Sequence, residues 1–462
     1  MARGKKAAQG LTPEEKLAQA LVSMEEQPYQ IPDNWCWIQL NCIKKDKDSF
    51  FDGDWILSSD MDSDGDVRLL QLSDIGIGDF LDKSDKHISF STYKKLNCTK
   101  LCAGDVMISR MAEPIARSCI VPEFSYTAIT AVDVAIMRCN SAIIINRFLN
   151  YLCNTPWFTD LAFSRARGTT RVRITRANLG EMPLPLPPLS EQQRIVDRIE
   201  SIFAKLDEAK EKAQAVVDGF ELRKSAILHK AFTGELTAKW REEHKIEIDD
   251  WKNYKIDECC KVGSGGTPSR KHPEYYEGII PWIKTGEIDW NDILDAEEKI
   301  SDAAVQDSSA KIYEPGVVLV AMYGMGVTRG KAAILRVQAA TNQAVCVLQP
   351  KNDLLNRYLF YYFMYNYWNI REKSVGGNQL NLSATIIKNF DILIPSIDEQ
   401  SEIIRILDGL LAKEKAAKEA AASILDQIDT MKKAVLARAF RGELGTNDPA
   451  EESAVELLKK ML

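Results

Sequence analysis

The sequence predicts an α+β chain built twice, in which two globular blocks are each followed by a long helix and the halves are related by an internal pseudo-twofold duplication. Three observations predict it. PLPPLSEQQRIVDRI, Pro185 to Ile199, returns 208 residues later as LIPSIDEQSEIIRIL, Leu393 to Leu407. A shift of 208 aligns residues 191–236 with 399–444 without a gap, and 18 of the 46 positions are identical. The stretches before the two copies carry strand-like runs and an aromatic-rich helix in the same order, and a large repeat with matched ends signals duplication.

Composition sets the class. The chain has 462 residues, 45% hydrophobic and 27% charged, with a net charge of -7, enough for two sizeable cores in an ordinary soluble protein. No apolar run reaches membrane-span length, and the basic MARGKK start leads into polar LTPEEK, so a cytoplasmic location is expected. The ten cysteines form no CxxC pair and have no histidines at zinc spacing, which reads as reduced, mostly buried thiols.

Each repeat copy holds a heptad stripe. In the first it runs through Ile195, Ile199, Ile202, Leu206, Ala209, Ala213, Val216 and Phe220, then Arg223 and Ile227. In the second it runs through Ile403, Leu407, Leu410, Glu414, Ala417, Ala421, Ile424, Ile428, Met431 and Val435. Ser190 with Gln193 forms a capping box, Asp398 is placed to cap the second helix, and Gly234 and Gly442 stand where each should stop. About 40 residues per helix corresponds to about 60 Å. Each stripe needs a cover, and the equivalent stripe in the same chain supplies one. Arg223 and Glu414 interrupt the stripes as single polar seam residues able to set register.

In the blocks, Asp105 to Ser109 and Val317 to Ala321 read as equivalent strands, and Arg147 to Phe163 and Arg357 to Lys373 as equivalent helices. Identities between the blocks are sparse, as expected of a fixed scaffold with two specificities. Asp46 to Asp85 holds twelve aspartates against three basic residues, whereas Lys86 to Gly180 holds thirteen Lys/Arg against five acids. The densest point is SRARGTTRVRITR, Ser164 to Arg176, with five arginines among small residues. Arginine grips phosphate and reads guanine edges, so this loop is a candidate nucleic-acid contact. The equivalent GGNQLNLSAT, Gly376 to Thr385, substitutes Asn378, Gln379 and Asn381, whose amides pair with adenine.

Other motifs fail on chemistry. DMDSDGDVRLLQ, Asp60 to Gln71, ends on Gln71 where a calcium loop needs glutamate, and a strand-like run follows. GMGVTRGK, Gly324 to Lys331, matches neither phosphate-loop pattern, and Glu297-Glu298-Lys299 lacks the aspartate partner of a nuclease site. No catalytic site is predicted and no metal site.

Taken together, PLPPLSEQQRIV, LHKAFTGEL with its echo LARAFRGEL, GSGGTPSRKHPEYYEG, IPWIKTGEI, VLVAMYGMG and TNQAVCVLQP resemble the DNA-specificity (S) subunit of type I restriction-modification systems, over about Ile31 to Leu444. The resemblance implies two target-recognition domains separated by two long helices packed as an antiparallel coiled coil, each domain reading one half of a bipartite, asymmetric sequence in double-stranded DNA. It implies a non-catalytic subunit with no cofactor of its own. Two methyltransferase (modification) subunits would use S-adenosylmethionine to methylate adenine, and restriction/translocase subunits would use ATP and Mg. The division it implies is an extension helix at 1–29, recognition domains at 30–186 and 248–395, conserved helices at 187–236 and 396–444, a linker at 237–247 and a tail at 445–462. Both terminal segments contain a short amphipathic helix, suited to dock on the methyltransferase or to cap the coiled coil. Carried over position by position, the DNA-facing residues are Arg110 and Arg117, Arg165, Arg167, Thr169, Thr170, Arg171 and Arg173 in the first block. In the second they are Gly266, Thr267, Ser269, Arg270, Lys284, Thr285, Tyr323, Arg329, Lys331, Asn378, Gln379 and Asn381, with Arg117 opposite Arg329. A coiled-coil protein scaffold without DNA specificity and a stand-alone modification enzyme are the alternatives. Salt-insensitive DNA binding would favour the first, and methyl transfer by the chain alone the second.

Overall fold

The computed structural model describes residues 12–324, 326–351, 353–374 and 381–461. The chain divides into two compact units, Met1–Lys212 with Ile424–Leu462, and Ala213–Ser423. In the first unit, strands Phe50–Asp52, Val134–Met137, Val106–Ser109 and Ser118–Ile120 lie side by side in an antiparallel sheet. A second sheet pairs Val67–Leu70 parallel to Thr127–Thr130 and antiparallel to His87–Ile88, so the aspartate-rich 60–71 stretch ends in the expected strand. Cys36–Gln39 pairs with Pro183–Leu186, tying the entrance of the block to its exit. In the second unit a five-stranded sheet is ordered Cys260–Ser264, Val345–Pro350, Val318–Ala321, Ala332–Leu335 and Asp292–Ile293, and Lys252–Lys255 with Asp391–Ile394 repeats the entrance-to-exit pair.

Val106–Ser109 and Val318–Ala321 are the predicted equivalent strands, and every residue of both is buried. The two aromatic-rich segments are each two helices and not one. Asn146–Cys153 gives way to Pro156–Arg165 because Pro156 has no N–H to continue the ladder, while the Thr155 hydroxyl accepts from Phe158 N and starts a new helix. Asn356–Tyr365 and Tyr367–Glu372 are likewise divided at Asn366.

The first long helix is Leu189–Asp218, followed after Gly219 by Phe220–Phe232, and the second is Ile397–Ala439. Gly219 keeps a helical φ of -76°, so the axis continues through it. The starts differ from expectation. Ser190 lies inside the helix and its Oγ donates to Glu451 Oε1 at 2.8 Å, while Asp398 lies in the first turn and Ser396 Oγ accepts from Glu399 N at 3.3 Å. Both stops are as predicted: Gly234 and Gly442 have φ of 79° and 74°, the left-handed geometry that ends a helix. Gly234 lies against Ile248, and Gly442 against Pro32.

Within each unit the two helix segments run antiparallel. In the first, Asp207 takes Lys432 Nζ at 2.5 Å, whereas Arg194, a dozen residues earlier, takes Glu451, beyond the end of the partner helix. In the second, Lys418 Nζ sits 4.4 Å over the Phe220 ring and Arg223 Nε bonds Glu414 Oε2 at 2.7 Å, so the two interrupting charges answer each other. Ile195, Ile199, Ile403, Leu407 and Ile428 are buried, and Ile202, Leu206, Val216, Phe220, Leu410 and Val435 half-buried. Ile424, however, is 45% exposed and Met431 46%, and Ala417 is exposed too. Lys418, Leu425 and Lys432, one residue further on, take the half-buried positions. An α-helix at 3.6 residues per turn drifts from a strict 3.5 repeat, and here one edge of the stripe moves by one residue while Ala421 and Ile428 stay buried at their predicted places.

The repeated Glu-Gln dipeptide fastens each helix to its block. Gln192 Oε1 accepts from Ile145 N at 2.9 Å while its amide donates to Ile143 O and Pro187 O. Gln400 does the same with Leu355 N, Asp353 O and Pro395 O. Buried Glu399 accepts from Arg241, Thr237 and Trp251 Nε1, and buried Glu191 from Arg194 and Thr446. The segment after Phe232 therefore does in the second unit what the segment after Phe440 does in the first. Helices Pro13–Ala20 and Ala454–Met461 both lie on the core of the first unit, with Leu17, Ala454 and Leu458 packed among Ile195, Leu436 and Phe440.

Candidate nucleic-acid interface

In the first unit the strand Val106–Ser109 runs out into a loop at 110–117, and Ile174 N bonds Arg110 O at 3.0 Å, bringing 167–173 beside it. Arg167 and Arg173 exchange two backbone bonds of 2.9 Å and close a small hairpin. Gly168, at φ 125°, turns its tip, where a Cβ would collide with the Arg171 carbonyl. Asp52 and Asp133 order the base of this hairpin. Arg110 Nε reaches Asp52 at 3.1 Å, Arg176 reaches the same carboxylate at 3.5 Å, and Arg173 pairs with Asp133.

Those contacts give the arginines singled out in the sequence different surroundings. Arg110 is 8% exposed and ion-paired with Asp52, so it holds the base of the hairpin. Arg117 donates to the carbonyls of Ile75, Leu72, Ala112 and Pro114, and burial pushes its pKa down, which makes it the latch of its loop. Arg165 is half-buried on Glu181 O. Arg167, Thr169, Thr170 and Arg171 are exposed; Arg167 bonds only carbonyls of its own turn, and Arg171 has no hydrogen bond or ion pair among the described residues. Sequence alone cannot distinguish an arginine answered by an aspartate 58 residues away from one left to solvent.

The second unit repeats the construction. Val318–Ala321 leads into the 323–331 loop, and Leu382 N bonds Met322 O at 3.0 Å, matching the bond between Ile174 and Arg110. Arg371 donates to Arg329 O and Gly326 O, each at 2.6 Å, and the Tyr367 hydroxyl to Val327 O, so the latch here comes from the helix Tyr367–Glu372 and not from the loop itself. Tyr323 is exposed; Lys331 pairs with Asp289; Arg329 is half-buried, its pKa lowered by burial and by Arg371.

Gly266 is buried: its N–H bonds Thr341 O at 2.9 Å, its carbonyl takes Trp282 Nε1 at 3.0 Å, and a Cβ would overlap the Ser309–Ala310 backbone. It is a packing glycine. Thr267, Ser269 and Arg270 are exposed and Thr285 is half-buried. Arg270 lies 3.9 Å from the Tyr276 ring centroid and bonds Glu298 at 2.6 Å, and Lys284 bonds Glu298 at 3.0 Å and Glu297 at 3.3 Å. The Lys284 amine and the Arg270 guanidinium hold the Glu298 carboxyl below the usual range. The acidic pair thus clamps two cations. Asn378 and Gln379 lie outside the described residues, and Asn381 is half-buried. No group of three or more His, Cys, Asp or Glu able to hold a metal occurs among the described residues, and no helix there is long and apolar enough to cross a membrane.

The family model for the type I restriction modification DNA specificity domain matches residues 75–217 and again 248–425. The chain belongs to this family. The first match takes in the later part of the first block and the second the whole of the second block, and each runs into the long helix that follows. Among specificity subunits, that of the EcoBI enzyme of Escherichia coli is 23% identical over 66% of this chain and 69% of its own length. That of MjaIX from Methanocaldococcus jannaschii is 30% identical over 39% of this chain and 44% of its own. The fold is shared with the HsdS subunit of Thermoanaerobacter tengcongensis, at TM-score 0.65 and 20% identity over 91% of this chain and all of that one. A chain solved in work on the assembly and conformational transition of a type I system gives 0.66 and 19%, over 90% and all. DNA sequence specificity, carried by a non-catalytic subunit, is the role of this family. The protein-scaffold alternative falls with it.

Proposed function

We propose that this chain reads a bipartite DNA sequence for a type I restriction-modification complex, the block of each unit taking one half-site. The observation that carries this is the 167–173 hairpin, where Arg110 and Arg176 share Asp52 and Arg173 pairs with Asp133, while Arg167 and Arg171 stay exposed on a tip of glycine and threonine. Guanidiniums without acidic partners on a small-residue tip suit phosphates and guanine edges. Asn378, Gln379 and Asn381 supply adenine-pairing amides in the second block, so the two blocks read different bases. Two methyltransferase subunits using S-adenosylmethionine flip and methylate the target adenine, and restriction/translocase subunits use ATP and Mg. The chain itself binds no cofactor and works in the cytoplasm.

The test uses the chain assembled with its methyltransferase subunits, with methyladenine mapped genome-wide. Arg171→Ala is expected to weaken duplex binding by roughly 5- to 150-fold, the range for losing one base-reading arginine, and to relax one half of the methylated motif only. Exchanging residues 248–395 for another family member's block changes the other half. Should Arg171→Ala leave affinity and motif as they were, or the exchange leave both halves intact, the reading is wrong.

A further inference from the structure

The 167–173 hairpin is flanked by the 110–117 loop. Met111 forms an antiparallel bridge with Arg173, which is itself bridged to Arg167, so the three residues stand in one row. From that row the antiparallel sense sends residues 112 and 113 off in the direction of Val172 and Arg171, toward the hairpin tip. The loop goes out and back. Its neck is closed by Ala116 N on Ser109 O at 2.8 Å and by Ser109 N on Arg117 O at 2.9 Å, which leaves 112–114 at the far end. Arg110 bonds Asp52 and Arg117 bonds four carbonyls, and the exposed residues of the loop are Ala112 and Glu113. What it presents beside Arg167 and Arg171 is therefore a carboxylate.

Glu113 is held from both sides and answered by nothing. Arg117 Nη1 donates to Ala112 O at 2.8 Å and to Pro114 O at 3.4 Å, so the backbone on either side of Glu113 is pinned. The Glu113 carboxylate has no hydrogen bond or ion pair among the described residues. The open cleft of about 430 Å³ beside it is walled by Pro114, Ile115, Thr159, Asp160 and Phe163 and brings no cation. Elsewhere in the basic stretch Lys86 to Gly180, Asp105 answers Arg138 and Asp133 answers Arg173. Glu113 has no such partner and is carried to the flank of the hairpin. A carboxylate set against a duplex is repelled by the phosphates and gains only from a hydrogen-bond donor. In the major groove that donor is an exocyclic amino group, N4 of cytosine or N6 of adenine.

We propose that Glu113 is a specificity residue for the first half-site, its carboxylate accepting from an exocyclic amino group in the major groove while Arg167 and Arg171 take phosphates and guanine edges. This rests on the DNA-reading role above, and it gives the 110–117 loop an acidic reader where the sequence singled out two arginines. Because Arg117 bonds the carbonyls on each side, the backbone under the reader is set before DNA arrives and little ordering is left to the binding step. The negative charge costs affinity on every duplex alike and recovers it at the correct base pair, so it serves discrimination more than affinity.

The experiment uses the full chain assembled with its methyltransferase subunits, with methyladenine mapped genome-wide and binding measured on the mapped duplex and its single-pair variants. Glu113→Ala is expected to make one base pair of the first half-site degenerate, cutting discrimination there by roughly 5- to 150-fold, the span of one mismatched pair. Its salt dependence should be no weaker than that of the wild type, because no phosphate contact is lost. A duplex lacking the amino group at that pair, with purine for adenine or a pyrimidinone for cytosine, should weaken the wild type and leave Glu113→Ala unaffected, and the analogue that does so names the base. Arg171→Ala serves as the control for the DNA-reading role. If Glu113→Ala keeps full discrimination while Arg171→Ala relaxes its half of the motif, this proposal fails and the DNA-reading role stands. Uniformly tighter binding to every duplex with the motif intact would mark Glu113 as repelling phosphates only, and loss of assembly would mark it as a protein contact; either result overturns the proposal. If the wild-type assembly marks no motif and binds no duplex selectively, both readings fall.

Discussion

Glu191 and Glu399 occupy the same place in the repeat and are both fully buried, yet removing them should have unequal consequences. Glu399 accepts from Arg241 at 2.6 Å, from Thr237 at 2.7 Å and from Trp251 at 2.9 Å, and Arg241 is itself buried. Glu399→Ala leaves a buried guanidinium whose remaining acceptors are Gly234 O and the Thr237 hydroxyl. Removing one partner of such a pair costs about 3–5 kcal/mol. Glu191 answers Arg194, whose side chain is 38% exposed and keeps two bonds to Glu451. Glu191→Ala therefore strands no charge. It loses a partly solvated ion pair, about 0–1 kcal/mol, and the Thr446 bond, about 1 kcal/mol. Urea titration followed by hydrogen exchange reports each unit separately. With a slope of about 2 kcal/mol per molar, Glu399→Ala should move the midpoint of the Lys252–Lys255 strand down by roughly 2 M. Glu191→Ala should move that of Cys36–Gln39 by under about 1 M. Equal shifts, or the reverse order, would refute the reasoning.

The displaced helix stripe predicts that Ile424→Ser and Met431→Gln change thermal stability within about 0.5 kcal/mol, whereas Ile428→Ala costs about 2–4 kcal/mol; comparable losses at 424 and 428 would restore the simple heptad. The Glu298 clamp predicts a pH response of definite sign. Because its folded pKa is depressed, the stabilisation is present above its ordinary value of 4.5 and is lost as pH falls through the lowered one. Protection from hydrogen exchange over residues 264–284, relative to the intrinsic rate at each pH, should hold steady from about pH 5 to 8 and fall below about pH 4, and Glu298→Gln should abolish the difference.

Much of this architecture is legible in the sequence because duplication repeats its own evidence. Helix stops at Gly234 and Gly442, strands at Val106 and Val318, and the places of Arg223 and Glu414 as polar interruptions of the stripes all follow from spacing and residue type. What spacing does not carry is partnership. The Glu-Gln dipeptide stands out as identical, but its reason, a glutamine amide bridging helix and block, exists only once Ile145 and Leu355 are in place. The same gap explains Arg110, Arg117 and Gly266, whose residue types suit a ligand and whose partners are internal. Trp368, on the helix Tyr367–Glu372, is left 66% exposed. In a run of aromatic residues, the sequence offers no sign of which ring the core leaves out.

The core of the first unit includes Leu436, Phe440 and Leu458, residues that leave the ribosome more than two hundred positions after Trp35 and Ile38. The second unit draws only on the contiguous stretch Ala213–Ser423. During synthesis, therefore, the block translated later is the one able to finish first. The earlier block waits with an open apolar face until the last helix emerges, an inversion of the usual order of domain folding and a window in which a chaperone would have something to hold.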